Sequence, residues 1–219
     1  MSSSDQDIRV LQGLEHSNSS VRLRAAMAVG TTPDPQFIDA LLERCAIETD
    51  FSVREMLTWA LTRHPASLTV SKLVGELRAQ RAQARSQALH TLSKLGDRRA
   101  WPAITRVLLT DADDEVARSA WRAAVALVPE AEKPELARVL TTQLGRGERE
   151  MQLSLSRALI ALGEMIEPIL RAAMTDPDPG VRQHAIATQR LLHDPDAGFE
   201  FALEEAKRVV ALGGTSQEG

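Results

Sequence analysis

Residues 111–127 read DADDEVARSAWRAAVAL, and a close variant, DPDPGVRQHAIA, begins at residue 176. Both write a turn rich in aspartate, then Val, then Arg, then a run rich in alanine. A phrase that recurs at a fixed spacing is the mark of an architecture assembled from copies. Further copies stand at 19–30 (SSVRLRAAMAVG), 51–61 (FSVREMLTWAL), 82–92 (AQARSQALHTL) and 150–163 (EMQLSLSRALIALG). Taking the residue after the first apolar position as a marker, the copies carry Arg22, Arg54, Arg85, Arg118, Gln152 and Arg182. Successive markers are 32, 31, 33, 34 and 30 residues apart.

Composition supports helices as the repeated element. The 219 residues are 43% apolar and 26% charged, with 3% aromatics and no Tyr. Alanine and unbranched side chains lose least on entering a helix. A net charge of −4 argues against a chain devoted to wrapping nucleic acid. The single cysteine, Cys45, allows no internal disulfide framework and suits a reducing compartment. MSSSDQDIR at the start has neither the basic nor the apolar region of a secretory signal. The apolar run AAVALV (123–128) falls far below the ~20 residues that span a bilayer. The expectation is a cytoplasmic protein without a membrane partner.

Each copy holds two helical runs. The first is apolar at helical spacing, as in PQFIDALLERCA (35–46) and WPAITRVLL (101–109). A turn follows, where Asp178 is placed to cap the next helix and Pro179 to occupy its first position. Pro102, Pro134 and Pro168 recur in the first helices, and Pro168 is expected far enough inside to bend its helix. In the second run Val53, Val116 and Val181 are expected in the core, with alanines permitting close packing. The stretch DPDAGFEFALEEAKRVVALGG lacks the phrase. Asp194 and Pro195 read as a helix start, Glu204 and Arg208 lie one turn apart, and Gly213 reads as a stop. The reading is a single domain over 1–219: a repeat core of about 5–193, a capping helix of about 194–212 and a disordered tail, 213–219. The run QDIRVLQGL would close the other end.

With these phrases the chain resembles the HEAT repeat, in its short bacterial, PBS lyase-type form. The resemblance spans about 5–193 and implies an all-α fold, an α-solenoid of about six helical hairpins. It also implies that the marker Arg meets an Asp from a neighbouring turn in an interior ladder, with Asp176 and Arg182 as one rung and a break at Gln152. The chain is similar, further, to HEAT segments that follow MerR-type helix-turn-helix domains in actinobacterial proteins. The 219 residues include no such domain, so a sensor or adaptor role in regulation is expected rather than DNA reading.

Enzyme signatures are lacking: no Gly-rich phosphate loop, no metal-ligand spacing and no nucleophile elbow occurs. His16, His64, His90, His184 and His193 fall in different repeats without a local partner, and Cys45 reads as a small core residue. No cofactor, metal or catalytic residue is expected. In a solenoid the second helices line the concave groove, and helical arithmetic selects what faces it. With the residue before each marker at 0° and 100° per residue, offsets +2, +5, +6 and +9 point away from the core. These are Glu55, Thr58, Trp59 and Thr62; Ser86, Leu89, His90 and Ser93; Ser119 and Arg122; Ser156 and Arg157; Gln183 and Arg190. Trp121 is placed in the core. Aromatic and Arg side chains are what binding hot spots favour. The expected site is therefore Trp59, His90, Arg122 and Arg157, flanked by Glu55, Thr62, Ser93 and Arg190. The expected function is a non-enzymatic module holding a peptide, protein segment or small ligand. The alternative is a HEAT-like alkylpurine DNA glycosylase, against which stand the acidic charge and the absence of Asp from the strip; no nucleic-acid partner is expected.

Overall fold

A computed structural model of the chain describes residues 3–194, 203–204 and 206–210. Among these residues every regular element is a helix. The order is α1 (Ser3–Leu14), α2 (Ser19–Thr31), α3 (Ile38–Cys45), α4 (Phe51–Arg63), α5 (Ala66–Glu76) and α6 (Ala82–Leu95). It continues with α7 (Arg106–Leu109), α8 (Asp114–Leu127), α9 (Lys133–Thr141), α10 (Arg149–Ile160), α11 (Glu167–Ala173) and α12 (Pro179–His193). Odd-numbered helices are the first of each pair, and even-numbered ones carry the marker phrase. The helices divide between two compact units, Met1–Leu108 with Glu115–Leu127, and Leu109–Asp114 with Val128–Gly219.

The turns do the capping that their composition suggests. Asn18 accepts from the Ser20 N–H, Asp50 from Val53, and Asp178 from Gly180 and Val181, with Pro179 opening α12. Each satisfies amides that the first helical turn leaves unpaired. The first helices are less regular than their apolar pattern implies. Short 3-10 turns at Pro35–Phe37, Arg98–Ala103, Glu130–Glu132 and Glu164–Ile166 precede α3, α7, α9 and α11. The run 101–109 is not one helix: Pro102 sits inside the 3-10 turn, and only Arg106–Leu109 is α-helical. Proline lacks the N–H that would continue the ladder. Pro168 bends nothing, because α11 begins at Glu167 and the ring occupies its first turn.

Helix pairs pack as the alanine-rich phrase allows. In the first unit α2 lies against α4 and α4 against α6, while α3 and α5 cover them. Val53, Val116 and Trp121 are buried as expected, but Val181 is only half-buried. In the second unit α10 and α11 pack on α12. The helical residues 206–210 close on α12, where Ala206 is buried with Ile186, Ala187 and Leu191. Pro195 and the stretch 211–219, with Gly213 and the expected tail, lie outside the described residues.

The rung expected of Asp176 and Arg182 does not form as an ion pair. Arg182 Nη1 donates to the carbonyls of Asp176 (2.7 Å) and Pro177 (2.8 Å), not to the Asp176 carboxylate. Arg22, Arg54 and Arg85 repeat that bond on the carbonyls six and five residues earlier. Gln152 keeps one such bond, to Gly147 O at 3.0 Å. The marker therefore stitches the turn of its own pair, since a donor in the first helical turn faces the loop carbonyls just before it. Arg118 differs and meets Glu115.

A buried carboxylate links the first two pairs. Glu48 is fully buried, and Arg22 grips it with Nε on Oε2 (2.7 Å) and Nη2 on Oε1 (2.8 Å). Arg44 Nε donates to Oε2 and the Asp50 N–H to Oε1, both at 2.8 Å. Burial alone would raise the Glu48 pKa, yet the hydrogen bonds from Arg22, Asp50 and Arg44 outweigh it and hold the group at about 2.

Candidate functional site

Six of the candidate residues stand on second helices of the first unit: Glu55, Trp59 and Thr62 on α4, His90 and Ser93 on α6, and Arg122 on α8. Trp59 on α4 is 40% exposed although its helix is packed on both sides. The seat of its covered side lies in α2. A Cβ at Gly30 would stand 2.2 Å from Trp59 Cζ3 and 3.0 Å from the Ala60 Cα, so the absent side chain makes the slot in which the indole rests. Three residues before Gly30 on the same helix, Met27 is also exposed. An indole bedded on one side and open on the other is a rigid apolar platform.

One turn before Trp59, the exposed Glu55 reaches the next second helix. Its Oε1 lies 3.2 Å from His90 Nε2. Burial lowers the His90 pKa below the ordinary histidine value; Glu55 opposes this, while Arg122 and Lys94 reinforce it. Arg122 on α8 is exposed and donates to Ser119 Oγ at 3.2 Å. Glu55, His90 and Arg122 are thus an electrostatically linked group drawn from α4, α6 and α8. Thr62 and Ser93 are half-buried beside it, with their hydroxyls donating to the Trp59 and His90 carbonyls of their own helices. Arg157, exposed on α10, and Arg190, half-buried on α12, belong to the second unit.

Several positions assigned to the groove are not on it. Thr58, Leu89 and Ser156 at offset +5 are buried, as are Ser86 and Ser119 at +2. A second helix packs on its own first helix and on second helices either side, so its covered arc exceeds that of a helix with one partner. Offset +6 is exposed in three copies, at Met27, Trp59 and Arg157, but half-buried at His90 and buried at Ala123 and Ala187.

The histidines also find partners outside their local sequence. In the second unit His184 is fully buried, and its Nδ1 accepts the Gly145 N–H at 3.0 Å. The ring proton therefore sits on Nε2, 2.9 Å from Gln152 O and 3.0 Å from Ser156 Oγ. Ser156 Oγ lies 2.8 Å from Thr188 Oγ1. Ser156 and His184 have the spacing of a nucleophile and base, but both are sealed in the core, where they pin α10, α12 and the Gly145 turn together. Burial lowers the His184 pKa to about 4, against a weaker pull from the Gln152 carbonyl. Cys45 is buried and its thiol is pushed up to about 12 by desolvation first and Glu48 second, which fits the core reading. Among the described residues no cluster of three or more His, Cys, Asp or Glu could hold a metal ion, and no helix is long and apolar enough to cross a membrane.

No family model matches the sequence, and no curated protein matches it. Solved structures do resemble it. The karyopherin Kap121p, bound to the extreme C-terminus of the protein phosphatase Cdc14p, is 19% identical with a TM-score of 0.60, over 96% of this chain and 26% of the other. Kap121p bound to Nup53p is 18% identical with a TM-score of 0.59, over 99% and 26%. The CpcE–CpcF complex of phycocyanin lyase from a Nostoc species is 18% identical with a TM-score of 0.47, over 90% and 85%. This chain spans about a quarter of the Kap121p chains. The likeness to them shows the fold, an all-helical HEAT-like α-solenoid.

Proposed function

We propose that the chain is a non-enzymatic binding or adaptor module that holds a peptide or protein segment on the second-helix face of its first unit. The carrying observation is Trp59, seated on Gly30 with one indole face open beside the linked charges of Glu55, His90 and Arg122. Large aromatic side chains bring contact area at little entropic cost, and Arg adds directional hydrogen bonds; both dominate binding hot spots. The similar fold of Kap121p holds the C-terminus of Cdc14p in one structure and Nup53p in another, which favours a protein segment over a small ligand. A role as adaptor or sensor in regulation is the wider setting of this proposal.

The test is selection from a displayed random peptide library on the immobilised full chain, repeated on Trp59→Ala. Loss of the selected peptides from a variant that still melts like the parent is the expected result. Equal selection on both proteins would remove this face from consideration.

A further inference from the structure

We infer that the segment held on this face is one of mixed charge, with a basic side chain lying beside Glu55 and Trp59 and a carboxylate on Arg122. The inference rests on the proposed function and adds the chemistry of the partner. The two ends of the face are oppositely charged and incompletely paired. Glu55 has a 45% exposed side chain, and its close ionic partner is His90, which counts as a cation only when protonated. Burial of the ring, with Arg122 and Lys94 near it, keeps that proton off at neutral pH, so the carboxylate retains its charge. Trp59 lies one turn further along α4, and an ammonium or guanidinium over its open ring would gain a cation–π contact while facing Glu55. At the other end, Arg122 spends an N–H on a neutral hydroxyl, Ser119 Oγ. Among the described residues no carboxylate stands within ion-pair distance of it. Its planar fork is therefore available to grip a carboxylate through two parallel bonds.

The experiment uses a displayed library of random peptides, selected at neutral pH on the immobilised full chain and on the charge swaps Glu55→Arg and Arg122→Glu. The parent should enrich sequences that carry both a basic and an acidic residue. Glu55→Arg should enrich pairs of acidic residues, and Arg122→Glu pairs of basic residues. A peptide chosen by the parent should bind either swap about tenfold more weakly, which corresponds to ~1.4 kcal/mol. Glu55→Gln, which preserves size, and Arg122→Gln, which keeps a polar side chain without the charge, should each lose the preference for one charge only. Enrichment of the same sequences by parent and swaps would overturn the inference. If Trp59→Ala also abolishes selection in that case, the face still binds peptides and only its charge reading fails. If Trp59→Ala selects as the parent does, the proposed function fails with it.

Discussion

At the scale of single residues, three buried groups carry the sharpest consequences. Glu48 joins Arg22 to Arg44 across two helix pairs. Glu48→Gln would leave buried guanidinium groups short of a counter-charge, and should cost about 3 kcal/mol or more in a urea melt, as broken buried ion pairs do. His184 makes the protein acid-sensitive in a defined window. Its folded pKa, about 4, lies below the unfolded value of 6.5. Between these values the unfolded chain binds the extra proton, so stability is whole above pH 6.5 and drains as pH falls toward 4. At ~1.36 kcal/mol per unit the contribution is roughly 3 kcal/mol. Urea melts of the parent should lose that amount across the window, whereas His184→Gln should start less stable and show a flatter profile. A parallel slope in both proteins would assign the acid sensitivity elsewhere. Cys45, buried with its thiol pushed up to about 12, should resist an aromatic disulfide reagent in the native protein and react once the chain is unfolded.

At the scale of helices, the repeated phrase is not equivalent from copy to copy. Val116 on α8 is fully buried, whereas Val181 opens α12 half-exposed. Val116→Asp should cost roughly 3 kcal/mol or more, because an unpaired carboxylate enters the core. Val181→Asp should cost about 1 kcal/mol or less, since its charge meets the favourable N-terminal end of a helix. Thermal melts of the two variants side by side measure the difference. Gly30 makes a second comparison. Alanine would gain up to ~1 kcal/mol of helix propensity there, yet its Cβ would strike Trp59 and the Ala60 backbone. Gly30→Ala should therefore lower the melting temperature and shift the tryptophan emission. Stabilisation without a spectral change would mean that α2 and α4 are not so closely packed.

For the whole molecule, what was legible in the sequence was what is local. Asp178 and Pro179 start α12 because a cap and a fixed φ act within one turn, and the 3.6-residue period placed Trp121 inside. Residues whose surroundings come from another repeat were harder to read. Glu48 gave no signal beyond an acid in a turn, because its partner Arg22 is 26 positions away. Thr58 and Ser156 were put on the wrong side by an arithmetic that gave each second helix a single packing partner. Trp59 was found by that arithmetic, but the slot that seats it, left by the missing side chain of Gly30, is a contact between pairs. The central claim, that peptides bind the second-helix face of the first unit, is tested most directly by photo-crosslinking. A library-selected peptide bearing a benzophenone group would be irradiated on the full chain and the adducts mapped by mass spectrometry. The account predicts adducts on α2, α4 and α6 around Met27, Trp59 and His90, and none in Trp59→Ala. Adducts confined to the first helices α3 and α5, and unchanged in Trp59→Ala, would contradict it.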